Sequence, residues 1–233
     1  MTVENDQLSS RPPTRDLADV VVPRRPAGIP YADGEDYDAQ ALLRVNGYSL
    51  ETAELIDTLE SELGILQAAA ARTLGARGEG SAISALKQLV QDRSAEETAR
   101  VQAAYALTRL GIPDASEILI SLLDIDPEIS PAPLQAAGAL ARLGDLRGYV
   151  VIRAALDSPS RVTAMVACKQ LLSLAGIDGQ SLPGGGHVDL IEAFRAALTR
   201  PEANIRGEAM AQLNALDTDP PRALLAEFEN RQL

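Results

Sequence analysis

The only histidine and the only cysteine are the side chains best suited to catalysis. His187 follows three glycines, so it could act as a general acid or base in a mobile loop. The sequence offers it no Ser, Cys or carboxylate partner at a motif spacing, which favours a linker histidine ahead of a helix at 188–198. Cys168 lies in an Ala-rich helical stretch, where cysteine commonly behaves as a small buried apolar residue. The sequence therefore predicts no catalytic residue.

Glycine-rich segments and an acidic cluster could in principle bind phosphate or a cation. The glycines at 184–186 are followed by no Lys-Ser/Thr pair and preceded by no strand, so a phosphate-binding loop is not indicated. The glycines at 75, 78 and 80 are expected to cap a helix C-terminus. The acidic side chains lack the regular spacing of a calcium loop, and we expect a solvated tail that could dock on a basic partner. They are Asp33, Glu35, Asp36 and Asp38. No metal or cofactor is predicted.

The elements that must position any functional residue are helical repeats. The block Ala-Ala-x-Ala-Leu-x-x-Leu-Gly stands at 103–111 and 136–144, with weaker copies at 70–78 and 209–217. Its first three copies end at glycines that follow one another at intervals of 33 residues. Such a period is typical of a solenoid, in which each repeat buries its apolar face against the next. We interpret each repeat as an amphipathic helix A followed by an Ala/Leu-rich helix B.

The repeats divide the chain into four segments. Residues 1–35 hold five prolines and scattered charges, which predicts a disordered Pro-rich tail, although the valines at 20–22 could instead dock on a partner or fold back. Residues 36–63 are expected to form an N-terminal helical cap, residues 64–217 the repeats, and residues 218–233 a C-terminal capping helix. The predicted fold is all-α: a right-handed α–α superhelix of about five helical hairpins with helical caps.

Composition narrows the class of protein. Aromatic residues make up 3% of the chain and hydrophobic residues 46%, which suits thin Ala/Leu helix interfaces. The net charge of −12 repels phosphate backbones, and the sequence shows no basic stripe, so we expect no nucleic acid as partner. One cysteine, no signal peptide and no membrane-spanning run favour a cytoplasmic protein. The oligomeric state is left open.

The repeat ending Ala-Ala-x-Ala-Leu-x-x-Leu-Gly-Asp, complete at 136–145, resembles HEAT-like repeats of the phycobilisome-lyase type. The resemblance covers roughly residues 62–217. The arginine that this family places three residues before the block falls on Arg100 and Arg206, and on Arg161 in one of two possible registers. Gln67 and Pro133 replace it in the other repeats, so an Arg–Asp ladder would be broken here.

The resemblance implies bacterial proteins that either bind other proteins or act on phycobiliproteins. Our first hypothesis is a non-enzymatic scaffold or adaptor that holds a partner protein on the concave face, which the B helices line in such solenoids. The candidate contact residues are Tyr105, Arg109, Arg142 and Lys169. The alternative for these residues is an ordinary hydrated helix face. The alternative function is a bilin lyase or phycobilisome maturation or turnover factor, with bilin as ligand and a phycobiliprotein as partner.

Overall fold

Helices account for most of the part of the chain that the structure describes. The computed structural model describes residues 16–23, 31–61, 63–216 and 219–230. The helices are α1 (Tyr31–Val45), α2 (Thr52–Thr58), α3 (Gly64–Arg77), α4 (Ile83–Gln91), α5 (Glu97–Arg109), α6 (Ala115–Leu122), α7 (Ala132–Arg142), α8 (Arg147–Leu156), α9 (Arg161–Lys169), α10 (Leu190–Leu198), α11 (Ala203–Leu216) and α12 (Asp219–Asn230). This all-helical arrangement confirms the predicted α-solenoid.

The helices alternate between two rows, which we call the A row and the B row. The A row consists of α2, α4, α6, α8, α10 and α12, and the B row of α1, α3, α5, α7, α9 and α11. Most helices that follow one another from α2 to α12 pack together in A–B or B–A pairs, whereas α3 and α4 each pack against α5. The B helices also contact each other, with α1 on α3, α3 on α5, α5 on α7, and α9 on α11. Side chains on successive B helices therefore belong to one continuous surface.

Helix α7 joins the two halves of the hydrophobic core. Its Ala136 and Leu140 belong to the N-terminal cluster of buried residues, whereas its Leu134 and Ala137 belong to the C-terminal cluster. Two faces of α7 thus pack against the two clusters, as the stacking of repeats requires. The C-terminal cluster is built around Phe194, a fully buried side chain of α10.

A glycine follows each of three successive B helices within two residues, as the repeated Ala/Leu block predicts. Gly78, Gly111 and Gly144 have φ angles of +70°, +76° and +86°, the left-handed conformation that glycine adopts without steric penalty. The chain therefore turns out of each B helix at the same position of the repeat, which explains the regular interval of 33 residues between these glycines.

The residue three positions before the Ala/Leu block, where arginine is expected, hydrogen-bonds to the preceding A-helix segment. In three repeats this side chain donates to a backbone carbonyl, at distances of 3.0, 3.0 and 2.8 Å. The pairs are Gln67 with Leu59, Arg100 with Val90, and Arg206 with Arg200. Gln67 therefore replaces arginine in this role, because an amide N–H also satisfies a terminal carbonyl. Pro133 has no side-chain donor and interrupts the series in the third repeat.

The N-terminal boundary differs from the expectation. Helix α1 begins at Tyr31, five residues before the predicted start at residue 36, since no proline interrupts the sequence from Tyr31 to Val45. Residues 16–23, part of the predicted tail, fold back: Asn46 accepts from the N–H of Val21 at 2.9 Å and donates to its carbonyl at 2.8 Å. The rest of the predicted tail up to residue 30 lies outside the described residues.

Candidate protein-interaction face

Four successive B helices each contribute one cationic residue to the face that the sequence suggests for binding. They are Arg72 on α3, Arg109 on α5, Arg142 on α7 and Lys169 on α9. Arg109 and Arg142 lie 33 residues apart, at the same position of consecutive repeats. We call these four residues together with Tyr105 the B face. The sequence shows no basic stripe because the four cations are far apart along the chain, and only the stacking of the B helices brings their helices side by side.

The carboxylate of Asp36 joins two of these cations. Its Oδ1 lies 2.8 Å from Nε of Arg72, and its Oδ2 lies 2.9 Å from Nη1 of Arg109. The Arg72 side chain is 10% exposed, against 23% for Asp36 and 28% for Arg109. Charge-assisted hydrogen bonds of this kind are stronger than bonds between neutral groups. Helix α1 is thereby held against both α3 and α5.

The ring of Tyr105 supports the same pair of arginines. The Cζ atoms of Arg72 and Arg109 lie 5.5 and 5.7 Å from its centroid, within the range of cation–π attraction. Only 6% of Tyr105 is exposed, so the ring is positioned to orient the guanidinium groups rather than to offer a large contact area of its own. Contact of Tyr105 with a partner stays a prediction.

The next repeat has a glycine where the preceding one has Tyr105. Gly138 stands 33 residues after Tyr105, and the amide of Gln170 occupies the space that a side chain would fill. A Cβ added at Gly138 would lie 2.1 Å from Oε1 of Gln170 and 3.3 Å from Nη1 of Arg142. Gln170 and Arg142 therefore both lie beside Gly138, and the neighbouring Lys169, at the end of α9, is exposed.

The predicted acidic tail is wrong at Asp36. Its carboxylate is an ion-pair partner in the B row rather than a freely solvated group, because α1 begins early enough to place residue 36 opposite Arg72 and Arg109. Asp38 is half-buried on the same helix. The side chains of Asp33 and Glu35 lie outside the described residues.

His187 lies in a short ordered turn between α9 and α10. Ser181 pairs with His187 in an antiparallel bridge, and the N–H of Gly179 donates to the carbonyl of Val188 at 2.9 Å. The Nε2 atom of His187 is 3.9 Å from the Asp189 carboxylate, and both side chains are largely exposed. The glycine-rich insertion is thus a folded hairpin that leads into α10.

Cys168 is expected to be chemically inert in the folded protein. Its Sγ lies 3.6 Å from the Ile205 carbonyl, and burial raises the pKa of the thiol to about 12, so the reactive thiolate is scarce at neutral pH. Native protein treated with iodoacetamide at pH 8 should show almost no alkylation by mass spectrometry, whereas protein in denaturant should be fully labelled. Rapid labelling of the native protein would contradict this burial.

A cavity of about 410 Å³ lies away from the B face, between the first two repeats. Its lining includes Glu60, Gln67, Asp92 and Glu96, close to the ends of α2 and α4 and the starts of α3 and α5. Hydrogen bonds from the hydroxyl and backbone of Ser94 hold the pKa of Asp92 below its usual value. The cavity therefore has an acidic lining and is distinct from the B face.

The described part of the chain contains neither a metal-binding cluster nor a helix that could span a membrane. No group of three or more His, Cys, Asp or Glu side chains there could hold a metal ion. None of the helices in that part combines the length and the apolar character needed to cross a membrane.

Comparison with known proteins agrees with the helical pairs. Residues 52–132, which run from α2 to the start of α7, match the family model described as HEAT repeats. These residues are similar to HEAT repeats. The HEAT match is general, and the finer phycobilisome-lyase type stays a prediction from the sequence.

Searches among individual proteins add little to the HEAT match. No curated protein gives a match. Fifteen chains of solved structure do, and one of them is an engineered protein from the Northeast Structural Genomics Consortium. It is 17% identical, covers 77% of this chain and 85% of its own, and has a TM-score of 0.40.

Proposed function

We propose that this protein is a non-enzymatic HEAT-like scaffold that binds a partner protein on its B face. HEAT repeats support a role in protein interaction in general. The observation that supports this particular face is the presence of Arg72, Arg109, Arg142 and Lys169 on neighbouring B helices of a chain whose net charge is −12. The B row is the concave side in solenoids of this kind, and concave sides are the usual binding surfaces.

The charge balance supports a protein rather than a nucleic acid as partner. A cationic patch on a strongly acidic chain attracts ligands locally, while the remaining surface repels a long polyanion. Arginine is also enriched among the side chains that dominate protein interfaces, because its planar guanidinium makes several hydrogen bonds and stacks on other groups. Arg109 and Arg142 are therefore the residues expected to contribute most to binding.

Affinity purification from the native host tests this proposal. Tagged wild-type protein should recover a specific partner, and the double change Arg109→Glu and Arg142→Glu should reduce recovery at least tenfold, since it reverses two charges at the proposed contact. The matched control is Lys87→Glu and Arg93→Glu, which makes the same charge change at exposed positions on α4 and just after it. The control should retain the partner.

Two outcomes would overturn the proposal. Recovery unaffected by the changes at Arg109 and Arg142 would place the contact elsewhere, and equal loss in the control would show an effect of net charge alone. Circular dichroism of each variant checks that the helices are retained, so that a loss of partner is not a loss of fold.

A further inference from the structure

We propose that the B face recognises an acidic, extended peptide segment and that Asp36 of α1 competes with that segment for Arg109. The inference rests on the proposed function, because it names the chemistry of the partner for the same face. It starts from a carboxylate already bound there: Asp36 lies within 2.9 Å of guanidinium nitrogens on two consecutive B helices.

The surroundings of this carboxylate match those of a bound anionic side chain. Arg72 and Arg109 approach it from α3 and α5, and the Tyr105 ring lies against both guanidinium groups. Planar guanidinium groups held in place pair well with carboxylates, since little conformational freedom is lost on binding. Because the group held there is the carboxylate of Asp36, we expect this face to bind carboxylates of a partner.

Part of this arrangement continues along the B row: the position of Arg109 holds a cation in the next repeat, whereas the position of Arg72 holds Tyr105 and then Gly138. Arg142 stands at the position of Arg109 in the next repeat, and Lys169 follows at the end of α9. Packed helices lie about 8–10 Å apart, and an extended chain advances about 3.3 Å per residue. Carboxylates at every third position of an extended segment would therefore meet one cation on each successive helix. A segment with Glu or Asp at this spacing is the ligand that the face fits.

Asp36 competes with such a ligand for Arg109 and does not help to bind it. Its carboxylate lowers the positive charge at Arg109 and engages the Nη1 atom of that side chain. Asp36 and Arg109 each keep about a quarter of their side-chain surface in contact with solvent, so another carboxylate can take the place of Asp36 on Arg109 while Asp36 stays paired with the buried Arg72. Removing the charge of Asp36 should therefore strengthen binding of an acidic segment, whereas removing a charge that only stabilised the fold would not.

The experiment is a fluorescence-anisotropy titration with two labelled peptides. One carries Glu at every third position between Ser and Gly residues, and the other carries Gln at the same positions. Asp36→Asn should bind the Glu peptide roughly tenfold more tightly than wild type, because Arg109 is released and a repelling charge is lost. Asp57→Asn, an exposed acidic position on α2, is the matched control and should change affinity less than about twofold.

A second variant keeps the test decisive if Asp36→Asn unfolds α1. Arg142→Gln with Lys169→Gln leaves Asp36 and its partners in place and should weaken binding of the Glu peptide about tenfold. Equal binding of the Glu and Gln peptides would overturn the inference. So would an Asp36→Asn variant that is folded by circular dichroism and binds no tighter than wild type.

The two proposals fail in different ways. If a host partner is released by the changes at Arg109 and Arg142 but the Glu peptide does not bind, the scaffold function stands and the acidic-segment inference is wrong. If those changes release no partner but the Glu peptide binds as described, the face recognises carboxylates without serving the scaffold function.

Discussion

Replacing Phe194 by alanine is expected to lower the free energy of unfolding by about 3–5 kcal/mol, the range for removing a buried aromatic side chain. Phe194 lies in α10 and is the largest fully buried side chain of the C-terminal hydrophobic cluster. The loss combines the transfer energy of the ring with the cost of the cavity left behind. Because neighbouring repeats meet only through their interfaces, the C-terminal repeats should unfold before the N-terminal ones.

Urea denaturation followed by circular dichroism measures this effect, and hydrogen exchange locates it. Phe228→Ala on α12 is the matched control, because that ring is half-buried against the same cluster and should cost about 1–2 kcal/mol. Exchange should accelerate in α10 and α11 of the Phe194→Ala variant more than in α3 and α5. Equal effects of the two substitutions would contradict the central position of Phe194 in this core.

Replacing Gly148 by alanine is expected to lower the free energy of unfolding by about 1–3 kcal/mol, although alanine normally favours a helix. A Cβ at this position of α8 would lie 2.2 Å from the carbonyl oxygen of Ala137 and 2.9 Å from the backbone nitrogen of Ala141. Both atoms belong to the backbone of α7, which cannot yield as a flexible side chain could. Helices α7 and α8 would have to separate, and α7 joins both hydrophobic clusters.

The control for Gly148 is a helical glycine with free space around it. Gly207 lies within α11, and a Cβ added there would have no neighbour within 4 Å. Gly207→Ala should therefore stabilise the protein by about 0.5–1 kcal/mol through the helix preference of alanine. Thermal unfolding monitored by circular dichroism should shift in opposite directions for the two variants. A stabilising Gly148→Ala would show that α7 and α8 are not in this close contact.

The features that the sequence predicts well are those decided locally. The turn glycines at 78, 111 and 144 adopt the left-handed backbone conformation, which local sterics permit to glycine, and each follows the same Ala/Leu pattern. Two expectations failed or were incomplete for local reasons as well. The sequence has no clear capping residue at the start of α1, so the predicted start falls too late. Gln67 makes the hydrogen bond expected of arginine, but a motif defined by residue type does not predict this.

The candidate site depends on contacts between residues far apart in the sequence. Asp36 and Arg109 are separated by 73 positions, so their ion pair exists only because α1 packs against α3 within the B row. The place of Gln170 beside Gly138 likewise depends on how α9 ends against α7. Tyr105, Arg109, Arg142 and Lys169 could be proposed from helical periodicity, but neither the burial of Tyr105 nor the role of Asp36 could be.

Hydrogen exchange of the complex with a partner recovered from the host tests the central claim most directly. The B-face account predicts that binding slows exchange in peptides covering α5, α7 and α9, with little change in the A helices α4, α6 and α8. Amides at helix surfaces covered by a partner lose the local openings that permit exchange. Protection confined to the A helices, or to the acidic cavity between the first two repeats, would contradict the account.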